Sequence, residues 1–133
     1  MKPMQLIAQQ RAAFAMKKMS EAKRKTEDVQ KQIRTVANTI PAQIQRTGLG
    51  QTLAFALSKK EKADGHGWVF FQQLLQEWLC EERKLYTGNT LMASLCEGDM
   101  LQYQQAQAEA MALLVWVRKF ARAMLDSDKQ QEG

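Results

Sequence analysis

The chain has 133 residues, a length at which one domain can bury about two thirds of its unfolded surface without disulfides or a metal to staple it. Hydrophobic residues at 45% and charged residues at 25% match an ordinary globular protein and exclude a disordered, acidic-tail or collagenous chain. The net charge of +5 is unevenly held: residues 1–62 carry 13 Lys and Arg against 4 Asp and Glu, whereas residues 63–133 carry 6 against 10.

The longest apolar run, Ala110 to Val117, is closed by Glu109 and Arg118 and falls far short of the roughly 20 residues a spanning helix needs. Met1-Lys2-Pro3-Met4 leads into glutamines instead of an apolar leader, so a cytoplasmic address is expected. Glycine and proline are scarce, and β-branched residues rarely alternate with polar ones, which predicts an all-α fold.

A first helix is expected from Pro3 to Lys25, its inward side formed by Met4, Ile7, Ala8, Ala12, Phe14, Ala15, Met19 and Ala22. Arg11 and Lys18 fall beside that stripe and must snorkel outward or meet a carboxylate. Thr26-Glu27-Asp28 suits a second start, and Val29, Ile33, Val36 and Ile40 continue the helix until Pro41 is expected to end it near Thr39. A turn over residues 41–46 then leads to a hinge, Thr47-Gly48-Leu49-Gly50.

A third helix carries Leu53, Ala54, Phe55 and Leu57 inward and runs into Ser58-Lys59-Lys60-Glu61-Lys62. The loop Ala63-Asp64-Gly65-His66-Gly67 follows, its glycines free to take positive φ. Trp68, Phe71, Leu74, Leu75, Trp78, Leu79 and Leu85 share helical spacing up to a cap at Gly88. Asn89 then caps a short helix with Leu91, Met92, Leu95 and Cys96. Asp99 caps the last, Met100 to Leu125, in which residues 110–117 are apolar in every direction and predict a central helix ringed by the others. The expected architecture is one domain over residues 1–133, a bundle of about six helices with a basic half (1–62) and an acidic half (63–133).

Candidates for chemistry are few. Gly48-Leu49-Gly50 lacks the third glycine, the Gly-Lys-Ser/Thr and the preceding strand of a nucleotide-binding loop. His66 has no nucleophile at a telling spacing. Cys80 and Cys96 lie in different helices with no Cys-x-x-Cys, so both read as free packing thiols, and no metal or cofactor is expected. Glu77 and Glu81 share a helix face without the Glu-x-x-His partner of a helical di-metal centre. The basic half points to phosphate, with no interleaved aromatic platform for reading bases.

Three stretches carry a resemblance: Gln9-Gln10-Arg11-Ala12-Ala13-Phe14-Ala15, Pro41 through Phe55 (PAQIQRTGLGQTLAF), and Ala112-Leu113-Leu114-Val115-Trp116-Val117-Arg118-Lys119-Phe120-Ala121. Together, in this order and spacing, they resemble the small all-helical subunit of the type III-B CRISPR effector, the Cmr complex. The resemblance implies a non-catalytic subunit of an antiviral ribonucleoprotein, stacked in several copies beside larger subunits that hold a guide RNA and its target RNA. It assigns phosphate contacts by position to Lys17, Lys18, Arg46, Lys59 and Lys60, and architectural roles to Gly48, Gly50, Trp116 and Phe120. The implied partners are other subunits of the complex, further copies of this chain and the guide–target duplex or target strand, with no membrane and no small-molecule substrate. Independently of the family, a basic half and an acidic half can pair between copies through a heterologous contact, the kind that forms open filaments. The competing reading is a helical protein-interaction adaptor whose lysines serve solubility.

Overall fold

The computed structural model describes residues 5–125. Among these the chain forms six α-helices and no strand: α1 (Ile7–Ala22), α2 (Glu27–Thr47), α3 (Leu49–Ser58), α4 (His66–Gln76), α5 (Leu91–Glu97) and α6 (Met100–Leu125). A π-helical segment, Glu77–Glu82, continues α4. The all-α expectation holds.

α1 begins at Ile7, where the Gln9 side chain accepts from the Leu6 N–H; Pro3 and Met4 lie outside the described residues. It buries Phe14, Ala15, Met19 and Ala22, while Ala8, assigned inward by periodicity, is exposed. The break expected near Lys25 is present, and the Thr26 hydroxyl caps α2 by accepting from the Val29 N–H at 3.3 Å. α2 does not stop at Thr39. It runs through Pro41 to Thr47, replacing the expected turn over 41–46. A proline inside a helix costs about 3 kcal/mol, but Ile33, Val36, Ala37, Ile40 and Ile44 form one buried stripe that crosses it. Of that stripe Ile44 lies beyond Pro41, and its burial contributes about 1.5 to 3 kcal/mol, the same order as the proline's cost and enough to offset most of it.

The hinge falls at Gly48, whose φ of 92° separates α2 from α3, a conformation only glycine adopts without strain. Gly50 is helical, in the first turn of α3. Its N–H donates to the Tyr103 hydroxyl at 2.8 Å, and a Cβ there would stand 3.3 Å from that oxygen. Because α3 starts at Leu49, its inward residues are Leu49, Thr52, Leu53 and Ala56. Ala54, Phe55 and Leu57 point outward instead. The loop glycines serve close approach rather than positive φ: a Cβ on Gly67 would meet the Gln32 carbonyl oxygen at 2.7 Å.

α4 and the π segment bury Trp68, Phe71, Leu74, Leu75, Trp78 and Leu79. Helical structure then ends at Glu82, short of Gly88, and the Arg83 N–H reaches back five residues to the Trp78 carbonyl. Gly88 has positive φ within an irregular stretch, not at a helix cap. Thr90, not Asn89, caps α5, and Asp99 caps α6 as expected, accepting from the Gln102 N–H at 2.8 Å. Cys96 is exposed and Cys80 half-buried, so only Cys80 packs.

α6 packs against α1 along one flank and α2 along the other, and α2 in turn packs on α4. The apolar stretch of α6 is not ringed by helices. Ala110, Leu113, Leu114 and Val117 are buried, whereas Val115 is 55% exposed and Trp116 is half-buried, stacked on Phe120 with centroids 6.0 Å apart. Two flanking helices leave one side of α6 open, and the extra apolar residues lie there.

Candidate nucleic-acid interface

The five cations assigned to phosphate separate into three places. Lys17 and Lys18 are adjacent on α1 but point differently. Lys17 is exposed. Lys18 turns inward, its side chain 12% exposed, and pairs with Glu77 and with Glu21. Burial disfavours its charge, but the hydrogen bond and charge of Glu77, aided by Glu21, outweigh that and hold its pKa above the usual lysine range. Arg46 is exposed on the last turn of α2, where a cation also complements the helix dipole.

Lys59 and Lys60 follow α3. Lys59 lies 3.2 Å from Asp64 and 5.6 Å from the Phe55 ring centroid, and Lys60 is exposed. Gln32 fixes where this loop sits: its side-chain amide donates to the Ala63 carbonyl, and its Oε1 accepts from the Gly67 N–H. Arg46 is therefore 14 residues further along α2 from the Lys59–Lys60 loop, about 21 Å at 1.5 Å per residue. Among the described residues, Lys17, Arg46 and Lys60 make no ion pair.

Three cations missed by the division into basic and acidic halves stand on α6. Arg118, Lys119 and Arg122 rim a groove of about 370 Å³ whose other lining residues are Pro41, Met111, Leu114 and Val115. The Arg118 guanidinium donates to Asn38 on α2 at 3.2 Å. The signal was present in the sequence, since no carboxylate occurs between Glu109 and Asp126. Summing charge over the whole half concealed it.

A second charged cluster holds the fold together. Glu109, 10% exposed, accepts from the Arg11 guanidinium at 2.7 and 2.9 Å and from the Trp78 indole N–H at 3.0 Å. Arg83 stands 3.9 Å away. The sequence placed Arg11 and Lys18 beside the apolar stripe, to snorkel outward or meet a carboxylate; the second alternative holds, with Glu109 and Glu77 as the partners. Leu49 and Gly50 likewise find side-chain acceptors on α6, Gln107 and Tyr103, which tie the first turn of α3 to α6.

His66 sits exposed at the start of α4 and Cys80 lies 14 residues along the same helical run, roughly 21 Å away. These two cannot act together. No group of three His, Cys, Asp or Glu among the described residues is placed to hold a metal ion. No helix of the described residues is long and apolar enough to cross a membrane.

Fold and surface thus define a small all-helical protein with charged and apolar surfaces exposed among the described residues. The family model described as CRISPR-associated protein (Cas_Cmr5) matches residues 7–124, and the chain belongs to that family of small type III-B Cmr subunits.

Proposed function

We propose that this chain is a non-catalytic subunit that stacks in several copies as a minor filament of a guide-RNA-directed ribonucleoprotein. There it steadies the guide RNA–target RNA duplex, or the target strand, through phosphate charge. The observation that carries this reading is the set of exposed cations without acidic partners among the described residues, Lys17, Arg46 and Lys60, with Lys59 beside Lys60. Lys18 is assigned to the fold, because Glu77 and Glu21 already engage it.

Phosphate contacts position a strand without reading its bases. Binding should therefore be salt-dependent and nearly blind to sequence, each lost contact lowering the salt slope by about 0.7 to 0.9. The test replaces Lys17, Arg46, Lys59 and Lys60 by Ala together and measures target-RNA affinity of the assembled complex at two salt concentrations. Weaker binding and a shallower slope for every RNA sequence are expected. Unchanged affinity and slope with the variant fully incorporated would refute the phosphate role and favour a protein-interaction adaptor.

A further inference from the structure

Periodicity turned Phe55 inward, but α3 starts at Leu49 and leaves this ring 39% exposed. Single exposed apolar side chains are common; this one differs in its setting. Trp68, itself buried, backs the ring edge-on, with centroids 4.9 Å apart and planes at 83°. Lys59 follows one helical turn later on the same face, its ammonium 5.6 Å from the ring centroid, and Lys60 beside it is exposed. The basic half therefore does hold an aromatic side chain among its lysines, where the sequence pattern indicated none.

The backbone fixes cations and ring relative to one another. The Lys62 N–H donates to the Lys59 carbonyl and the Gly65 N–H to the Lys62 carbonyl, and a Cβ on Gly65 would collide with the Lys59 carbonyl, so the loop closes tightly on the end of α3. Asp64, the carboxylate that Lys59 meets, is 72% exposed. Such a pair is weak in water, and Lys59 can exchange it for a phosphate, uncovering the ring as it moves.

Lysines alone hold the phosphates of a single or a paired strand without distinction. A ring held beside them adds a surface for the face of a base, and because every base has such a face the contact tolerates any sequence. In a duplex those faces are covered by neighbouring bases, so the ring takes only a base that is unpaired or turned out of its strand.

We propose that Phe55 is a stacking site for an unpaired RNA base, placed beside the ammonium groups of Lys59 and Lys60 that take the flanking phosphates. The inference rests on the RNA-holding reading above and narrows its ligand to RNA with at least one unpaired base.

The test uses the full-length chain and two single-stranded RNA probes of equal length and charge, one carrying its bases and one abasic throughout, each at two salt concentrations. The wild type should bind the base-carrying strand about fivefold to a hundredfold more tightly than the abasic one. Phe55→Leu, which keeps an apolar side chain on Trp68, should bind both strands alike, and Phe55→Tyr should keep the preference. The salt slope should be the same in all three proteins, since the lysines are untouched. Circular dichroism checks that each variant folds.

A wild type that binds both strands equally, or a Phe55→Leu variant that keeps the full preference, would overturn the stacking site; salt-dependent binding in the same titrations would leave the phosphate reading standing. A preference for bases that is lost in Phe55→Leu, with no dependence on salt, would support the ring and count against the phosphate reading alone. No binding of either strand by roughly 1 mM chain would also overturn the site.

Discussion

Glu109 joins three parts of the chain that are distant in sequence: Arg11 on α1, Trp78 in the π segment and its own helix α6. Burial pushes its carboxyl pKa up, but the hydrogen bonds from Arg11 and Trp78 and the charges of Arg11 and Arg83 pull it further down, below the ordinary glutamate range. A carboxyl with a folded pKa below its unfolded value stabilises above the unfolded value, near 4.3, and loses that contribution as pH falls through the folded value. Glu109→Gln should therefore cost about 2 to 4 kcal/mol at neutral pH by leaving a charged donor short of its acceptor. It should also flatten the acid limb of stability. Urea unfolding of both proteins between pH 6 and pH 3 measures this, and parallel curves would mean that Glu109 contributes no acid sensitivity.

At the level of elements, continuity through Pro41 has a direct test. Pro41→Ala restores a backbone N–H inside α2 and removes a ring clash, so it should stabilise by about 1 to 3 kcal/mol in urea. A protein with a turn at residues 41–46 would show no such gain. Helix identity and most inward faces were legible because a 3.6-residue period survives in any window of the chain; Thr26 and Asp99 were legible because caps act over three residues. The errors share one cause. The end of α2, the inward face of α3 and the open side of α6 depend on which helix lies opposite, and local pattern carries no record of that. Tyr103, Gln107 and Gln32 were missed for the same reason: as polar helix residues they are indistinguishable from solvated ones until Gly50, Leu49 and Gly67 stand beside them. Of the candidate interface, the cations were visible, but the sequestration of Lys18 and the separation of Arg46 from Lys59 needed the fold.

Across the whole molecule, the last helix supplies both flanking surfaces on which the first two rest. α6 lies against α1 and α2, gives Glu109 to Arg11, and offers its final carbonyls, Met124 and Leu125, to Lys23 and Arg34. A chain emerging from the ribosome makes α1 first and α6 last. Until α6 is released, α1 and α2 lack the helix that packs against both, and Arg11 lacks its carboxylate. Folding of this unit therefore completes only after α6 has emerged, even though domains in general can fold from the N-terminus onward. Ribosome-bound chains halted at residue 100 should be cut rapidly by protease within α1 and α2. Chains extended by enough linker for residue 125 to clear the exit tunnel should resist, and equal resistance at both lengths would show that the first helices hold together without the last. A cell making this protein therefore carries a chain whose oily faces stay uncovered from the emergence of α1 until the release of α6, the interval in which a chaperone or a waiting neighbour would first meet it.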